Sequence, residues 1–208
     1  DLANRVSINA RKSGEAFSDP NVLRKEWERT AAATPGQTAE GIGGAVQSFI
    51  AMTGDIKTAR KGQSVFATTA RATGADVNDV ARTAAALSMQ FDIKGLEEMK
   101  DVLASLTFQG KEGAFELRDA AAYMQEMAAA GAAFGMDKGV GSVKTLGGLA
   151  QIAMTTSGSG AEASTAVQRM FTQLKMKTGV LSKEGIDVYR DGKTRDIKEL
   201  LPEIIAKI

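Results

Sequence analysis

From Gly74 to Leu174, apolar residues recur every three or four positions in runs of ten to twenty, and each run ends in glycine-rich or polar sequence. That spacing places the apolar side chains of each run on one face of an α-helix. Helices this short are marginal alone in water, so their faces must be buried against one another. A long coiled coil needs unbroken heptads, which 22 glycines make implausible. The expected fold class is all-α: a compact multi-helix bundle, with one small β-hairpin near the C-terminus.

The clearest run is Val77, Val80, Ala84, Leu87 and Phe91, preceded by Asp76 as N-cap. After a break at Asp92-Ile93-Lys94-Gly95, Leu96, Met99, Leu103 and Leu106 form the next stripe. The adjacent carboxylates Glu97 and Glu98 suggest acid/base chemistry, but neighbours on a helix point about 100° apart and cannot share a proton. They read as a solvated face. Between Phe115 and Gly135 a helix packing face of Leu117, Ala121, Met124, Ala128 and Gly131 stands opposite Glu116, Asp119, Gln125 and Glu126. Its small residues admit a close neighbour, and Met124, Met127 and Phe134 fill the remaining space. Val143 to Met154 and Ala163 to Leu174 give two more helices, separated by a Ser157-Gly158-Ser159-Gly160 linker.

The first seventy residues are helical but less sharply patterned. Asp19 caps a segment with Pro20 in its first turn and Trp27 as its large anchor, and Thr34-Pro35-Gly36 ends it. A second helix carries Ala45, Phe49, Met52 and Ile56 on one stripe, its beginning weakened by Gly41, Gly43 and Gly44.

Function classes are narrowed by what is missing. With no cysteine there is no disulfide, thiolate ligand or thiol nucleophile, and with no histidine the usual general base near neutral pH is gone. No catalytic, cofactor-binding or metal-binding residue stands out, and the chain is not expected to be an enzyme. Its 26 basic and 25 acidic residues leave a formal charge of +1, too little for a field that recruits nucleic acid or an anionic membrane. The first thirty residues are charged throughout, unlike a signal peptide, and the longest uncharged stretch, Thr145 to Ala161, is too polar to span a membrane. The chain opens on Asp1 and stops at Ile208 inside an apolar run, as a fragment of something longer would.

One motif speaks for an enzyme: DGKT, at 191–194. A phosphate-binding loop requires a glycine five positions before Gly192, and that position is Asp187. Asp187 and Asp191 would also set negative charge beside a phosphate. The alternative is structural. Asp187 to Arg190 and Lys193 to Asp196 read as two strands, and the structural turn Asp191-Gly192 is the dipeptide favoured in type I′ hairpins. Ile197, Leu200, Leu201, Ile204, Ile205 and Ile208 then mark a last helix that Pro202 should kink unless it lies near the start.

The segments TGADVNDVARTAAALS (73–88), GAFELRDAAAYM (113–124) and LGGLAQIAMTTSGSGAEASTAVQRMFTQL (146–174), followed by helix, hairpin and Leu-Pro-Glu helix, resemble the core region of phage tail tape-measure proteins. The resemblance runs from near Ser64 to the end. It leaves residues 1–60 as an unplaced N-terminal helical segment and makes 61–208 a tape-measure core-like domain. It implies a structural tail protein that occupies the tail tube lumen, sets tail length and is ejected before DNA. Implied partners are the tail tube protein, tail assembly chaperones and further copies of the chain, with no specific nucleic acid, membrane or cofactor. The implied locations are the virion tail and, during assembly, the host cytoplasm. The Ala/Gly/Met-rich faces keep two alternatives open: a helical membrane-active or channel-forming module, and a helical assembly adaptor.

Overall fold

A computed structural model describes the backbone of residues 2–12 and 19–207, and all side chains among them except those of 11, 12, 117, 118 and 121. The described residues form eleven helices: α1 (Leu2–Lys12), α2 (Pro20–Ala33), α3 (Ala39–Thr53), α4 (Ile56–Thr73), α5 (Val77–Phe91), α6 (Gly95–Glu112), α7 (Leu117–Phe134), α8 (Val140–Met154), α9 (Gly160–Met176), α10 (Thr178–Lys183) and α11 (Ile197–Ala206). A two-stranded hairpin of β1 (Tyr189–Arg190) and β2 (Lys193–Thr194) lies between the last two. The fold is an all-α bundle with this one small hairpin.

Helix starts are marked chemically. Asp19, Thr38, Asp55, Asp76, Ser159 and Asp196 each accept a hydrogen bond from a first-turn amide. Each bond satisfies a donor that has no partner within its own helix.

Helices stack on their next-but-one neighbours. One row runs α3, α5, α7, α9 and a second runs α4, α6, α8, with consecutive helices such as α3–α4 and α8–α9 bridging the rows. A continuous apolar cluster reaches from Ala3 in α1 to Leu200 in α11. Residue 60 lies within α4, and Phe49 of α3 meets Phe66 of α4 with ring centroids 5.6 Å apart. Residues on both sides of position 60 therefore share one core.

Several local features differ from the sequence expectation. Ile56 does not extend the stripe of α3, because Gly54 takes a left-handed conformation (φ 72°) and Asp55 caps a new helix, accepting from the Thr58 amide at 2.8 Å. Gly41, Gly43 and Gly44 lie in the first half of α3, and at Gly43 and Gly44 side chains of other helices press closely. A Cβ at Gly43 would stand 2.7 Å from the Trp27 ring and 2.8 Å from Leu2 Cδ2. Gly160 belongs to α9 rather than to a linker, and is buried against the side chain of Asp119. The hairpin strands are two residues long rather than four, because Val188 turns into the core and Asp196 is committed to capping α11.

Candidate functional site

Because α7 sits between α5 and α9 in its row, its faces decide how closely three helices approach. Ala120, Met124, Met127, Ala128 and Phe134 are buried, and Gln125 and Glu126 are exposed. Of the packing-face residues, Met124 and Ala128 are fully enclosed, while the side chains of Leu117 and Ala121 lie outside the described residues. Phe134 meets Phe171 of α9 with centroids 5.3 Å apart. Polar bonds pin the same pair of helices: Gln168 Nε2 donates to Glu126 at 3.1 Å, and Lys175 Nζ donates to the Ala133 carbonyl at 3.1 Å. A second device has no sequence signature. The Gln151 side chain of α8 accepts from the Phe115 amide at 3.0 Å and donates to its carbonyl at 2.7 Å, clamping the loop before α7.

In the hairpin Tyr189 pairs with Thr194 and Arg190 with Lys193. Asp191 and Gly192 have φ of 52° and 74°, the two positive values that a type I′ turn requires. Lys193 is exposed, and Thr194 Oγ1 donates to the Phe134 carbonyl at 3.0 Å. The DGKT residues thus occupy a turn and an antiparallel strand, with none of the strand–loop–helix geometry that cradles phosphate. Gly192→Val is expected to destabilise the chain by about 1–2 kcal/mol, since a β-branched residue resists the left-handed region. Lys193→Ala should stay within about 0.5 kcal/mol. Denaturant unfolding of both variants checks this, and equal losses contradict the assigned turn.

Glu97 and Glu98 are separated in use as well as direction. Glu97 pairs with Lys100 at 2.7 Å, and Glu98 accepts from the Lys94 amide at 2.7 Å at the start of α6. Among the described residues no group of three acidic side chains could hold a metal ion, and no helix is long and apolar enough to cross a membrane. A polar recess of about 200 Å³ lies between the α7–α8 loop and the hairpin. Its Arg195 is engaged by Glu203 at 2.7 Å and by the Asp187 carbonyl at 3.1 Å, and its Asp196 caps α11.

The larger concavity is an open apolar groove of about 650 Å³ between α8, α9 and α11, lined by Leu149, Ile152, Val167, Met170, Leu201 and Ile205 among others. Ile152 is 67% exposed and Ile205 72%. The apolar residues that mark the last helix are divided: Ile197 and Leu200 are buried, Leu201 and Ile204 half-buried, and Ile205 faces water. Pro202 sits at the sixth residue of α11, inside the helix.

The described residues are organised by helix packing, with caps at the helix starts and a few ion pairs between side chains. The model of the family described as phage-related minor tail protein matches residues 24–208. A relative described as a probable tape measure protein, from Burkholderia phage BcepMu, is 30% identical over 180 residues, 86% of this chain. The chain spans 21% of that relative's length. No solved structure matches the chain. With the matched region running from α2 to the end of α11, the chain belongs to the phage-related minor tail protein family and resembles a tape measure protein over most of its length.

Proposed function

We propose that this chain is a folded station within a tape-measure protein: a structural component that occupies the lumen of a growing tail, contributes to setting its length and leaves ahead of the DNA. The observation that carries this reading is the similarity over 86% of the chain to a probable tape measure protein. The fold is compatible with it, being helices joined by short turns around a continuous apolar cluster. The tail tube protein and tail assembly chaperones are the expected partners, self-association is a further expected contact, and the virion tail and the assembling host cytoplasm are the expected locations. The turn at Asp191-Gly192 and the α7 face around Met124 and Ala128 serve the integrity of the station rather than any chemistry.

Geometry sets the scale of the test. As one continuous helix, 208 residues at about 1.5 Å each would span about 310 Å. A folded station is far shorter, its radius of gyration near 17 Å. In-frame removal of the segment from the encoding phage or prophage is expected to give tails that fail to assemble or are shortened by no more than about 310 Å. Electron microscopy of the particles measures it. Tails of unchanged length and normal infectivity overturn the proposal.

A further inference from the structure

A segment opens as a unit when the bonds inside it survive the opening and few bonds hold it to its surroundings. Residues 186–207 are built in that way. Inside this arm the Arg195 amide donates to the Val188 carbonyl at 2.9 Å, and the Arg195 guanidinium, 10% exposed, reaches the Asp187 carbonyl and Glu203. Lys207 Nζ returns to the carbonyls of Glu184 and Gly185, closing the arm at its base. Toward the helices before α10, the arm makes one hydrogen bond among the described residues, from Thr194 Oγ1 to the Phe134 carbonyl.

The rest of its attachment is two hydrogen bonds to α10, from the Ile186 amide to the Leu181 carbonyl at 2.9 Å and from Ser182 Oγ to Asp187 at 2.9 Å, together with the buried side chains of Ile186, Val188, Ile197 and Leu200. Beyond Leu200 the helix forms one wall of the groove without closing it, leaving Ile205 and Ile152 in water. Pro202 has no amide hydrogen, so one rung of α11 is missing at its centre. At the base, Gly185 adopts φ of 71°, a single residue at which the chain turns from α10 into the arm.

We infer that residues 186–207 form a strap that lifts from α8 and α9 as a preformed unit, pivoting near Gly185, while the remaining helices stay packed. Lifting exposes two apolar surfaces together: the groove floor at Leu149 and Val167, and the inner face of the strap at Ile197 and Leu200. An apolar surface becomes available without loss of the core.

The chain has no cysteine, so a single introduced thiol reports opening cleanly. Leu200→Cys under the strap and Leu87→Cys in α5 replace side chains that are 0% and 1% exposed. With a water-soluble aromatic disulfide as reagent, the thiol at 200 is expected to react at least about 100-fold faster than that at 87. Its rate should also rise less steeply with denaturant than the other, because lifting the strap exposes less surface than unfolding the whole core. Equal rates with the same denaturant dependence overturn the strap. Because Leu→Cys can itself loosen a site, amide hydrogen exchange on the unsubstituted chain decides: residues 197–206 exchange ahead of 77–91, and equal protection of both sinks the inference.

Discussion

Met124→Asp is expected to leave the chain unfolded or to cost on the order of 3–5 kcal/mol, while Gln125→Asp one position on costs no more than about 0.5 kcal/mol. Met124 is 0% exposed in a row where α7 is packed by α5 on one side and α9 on the other. A carboxylate there is cut off from water by apolar side chains. Met127 and Ala128, three and four residues on along the same helix, are enclosed too, so the charge cannot escape by a change of rotamer. Gln125 points to solvent, where aspartate loses only some helix propensity. Guanidinium unfolding followed by far-UV circular dichroism separates the two. Coincident transitions would mean that α7 is rotated from the phase described.

The second large effect concerns a hydrogen atom. Gly43→Val is expected to cost about 2–4 kcal/mol, because valine brings three carbons to a place where even a Cβ would lie 2.7 Å from an aromatic ring. Trp27 is 4% exposed, and Leu2 Cδ2 lies 2.8 Å from the same Cβ position, so the added carbons press on both side chains at once. Trp27 is also the chain's one tryptophan, and a red shift of its fluorescence reports the displacement directly. Gly148→Ala is the matched control: it too is a helical glycine, but a Cβ there meets nothing within 4 Å. That substitution should stabilise by about 0.5–1 kcal/mol through backbone entropy. If Gly43→Val is as mild, the α2–α3 contact is looser than described.

The contrast between those glycines shows which parts of the fold can be read from sequence. Asp76 and the stripe Val77, Val80, Ala84, Leu87 and Phe91 are local information, and α5 begins and buries itself accordingly. The partner of Gly43 is sixteen residues away on another helix, so its role looks like weakness until the two are seen together. Ile56 fails for a related reason: its spacing from Met52 suits one continuous helix, and only the left-handed Gly54 shows that the chain has turned. The Gln151 clamp on Phe115 joins positions thirty-six apart, and neither has a pattern that announces the other. The groove was illegible because an apolar stripe reads the same whether covered or open; Leu200 and Ile205 belong to one stripe and have opposite fates. The DGKT turn was legible because spacing and charge act over a few residues.

The next-but-one stacking of helices has a mechanical consequence. In such an array each helix is held chiefly by adjacent members, so tension applied along the chain is not shared by the whole core at once. A pulling experiment on this chain should give a staircase of small releases rather than one rip. Freeing α5 alone, with its 15 residues, adds roughly 50 Å of fully drawn backbone, and α7, with 18, roughly 60 Å. A tail component made this way would yield its length in helix-sized increments, each stopping where the next pair of helices still grips.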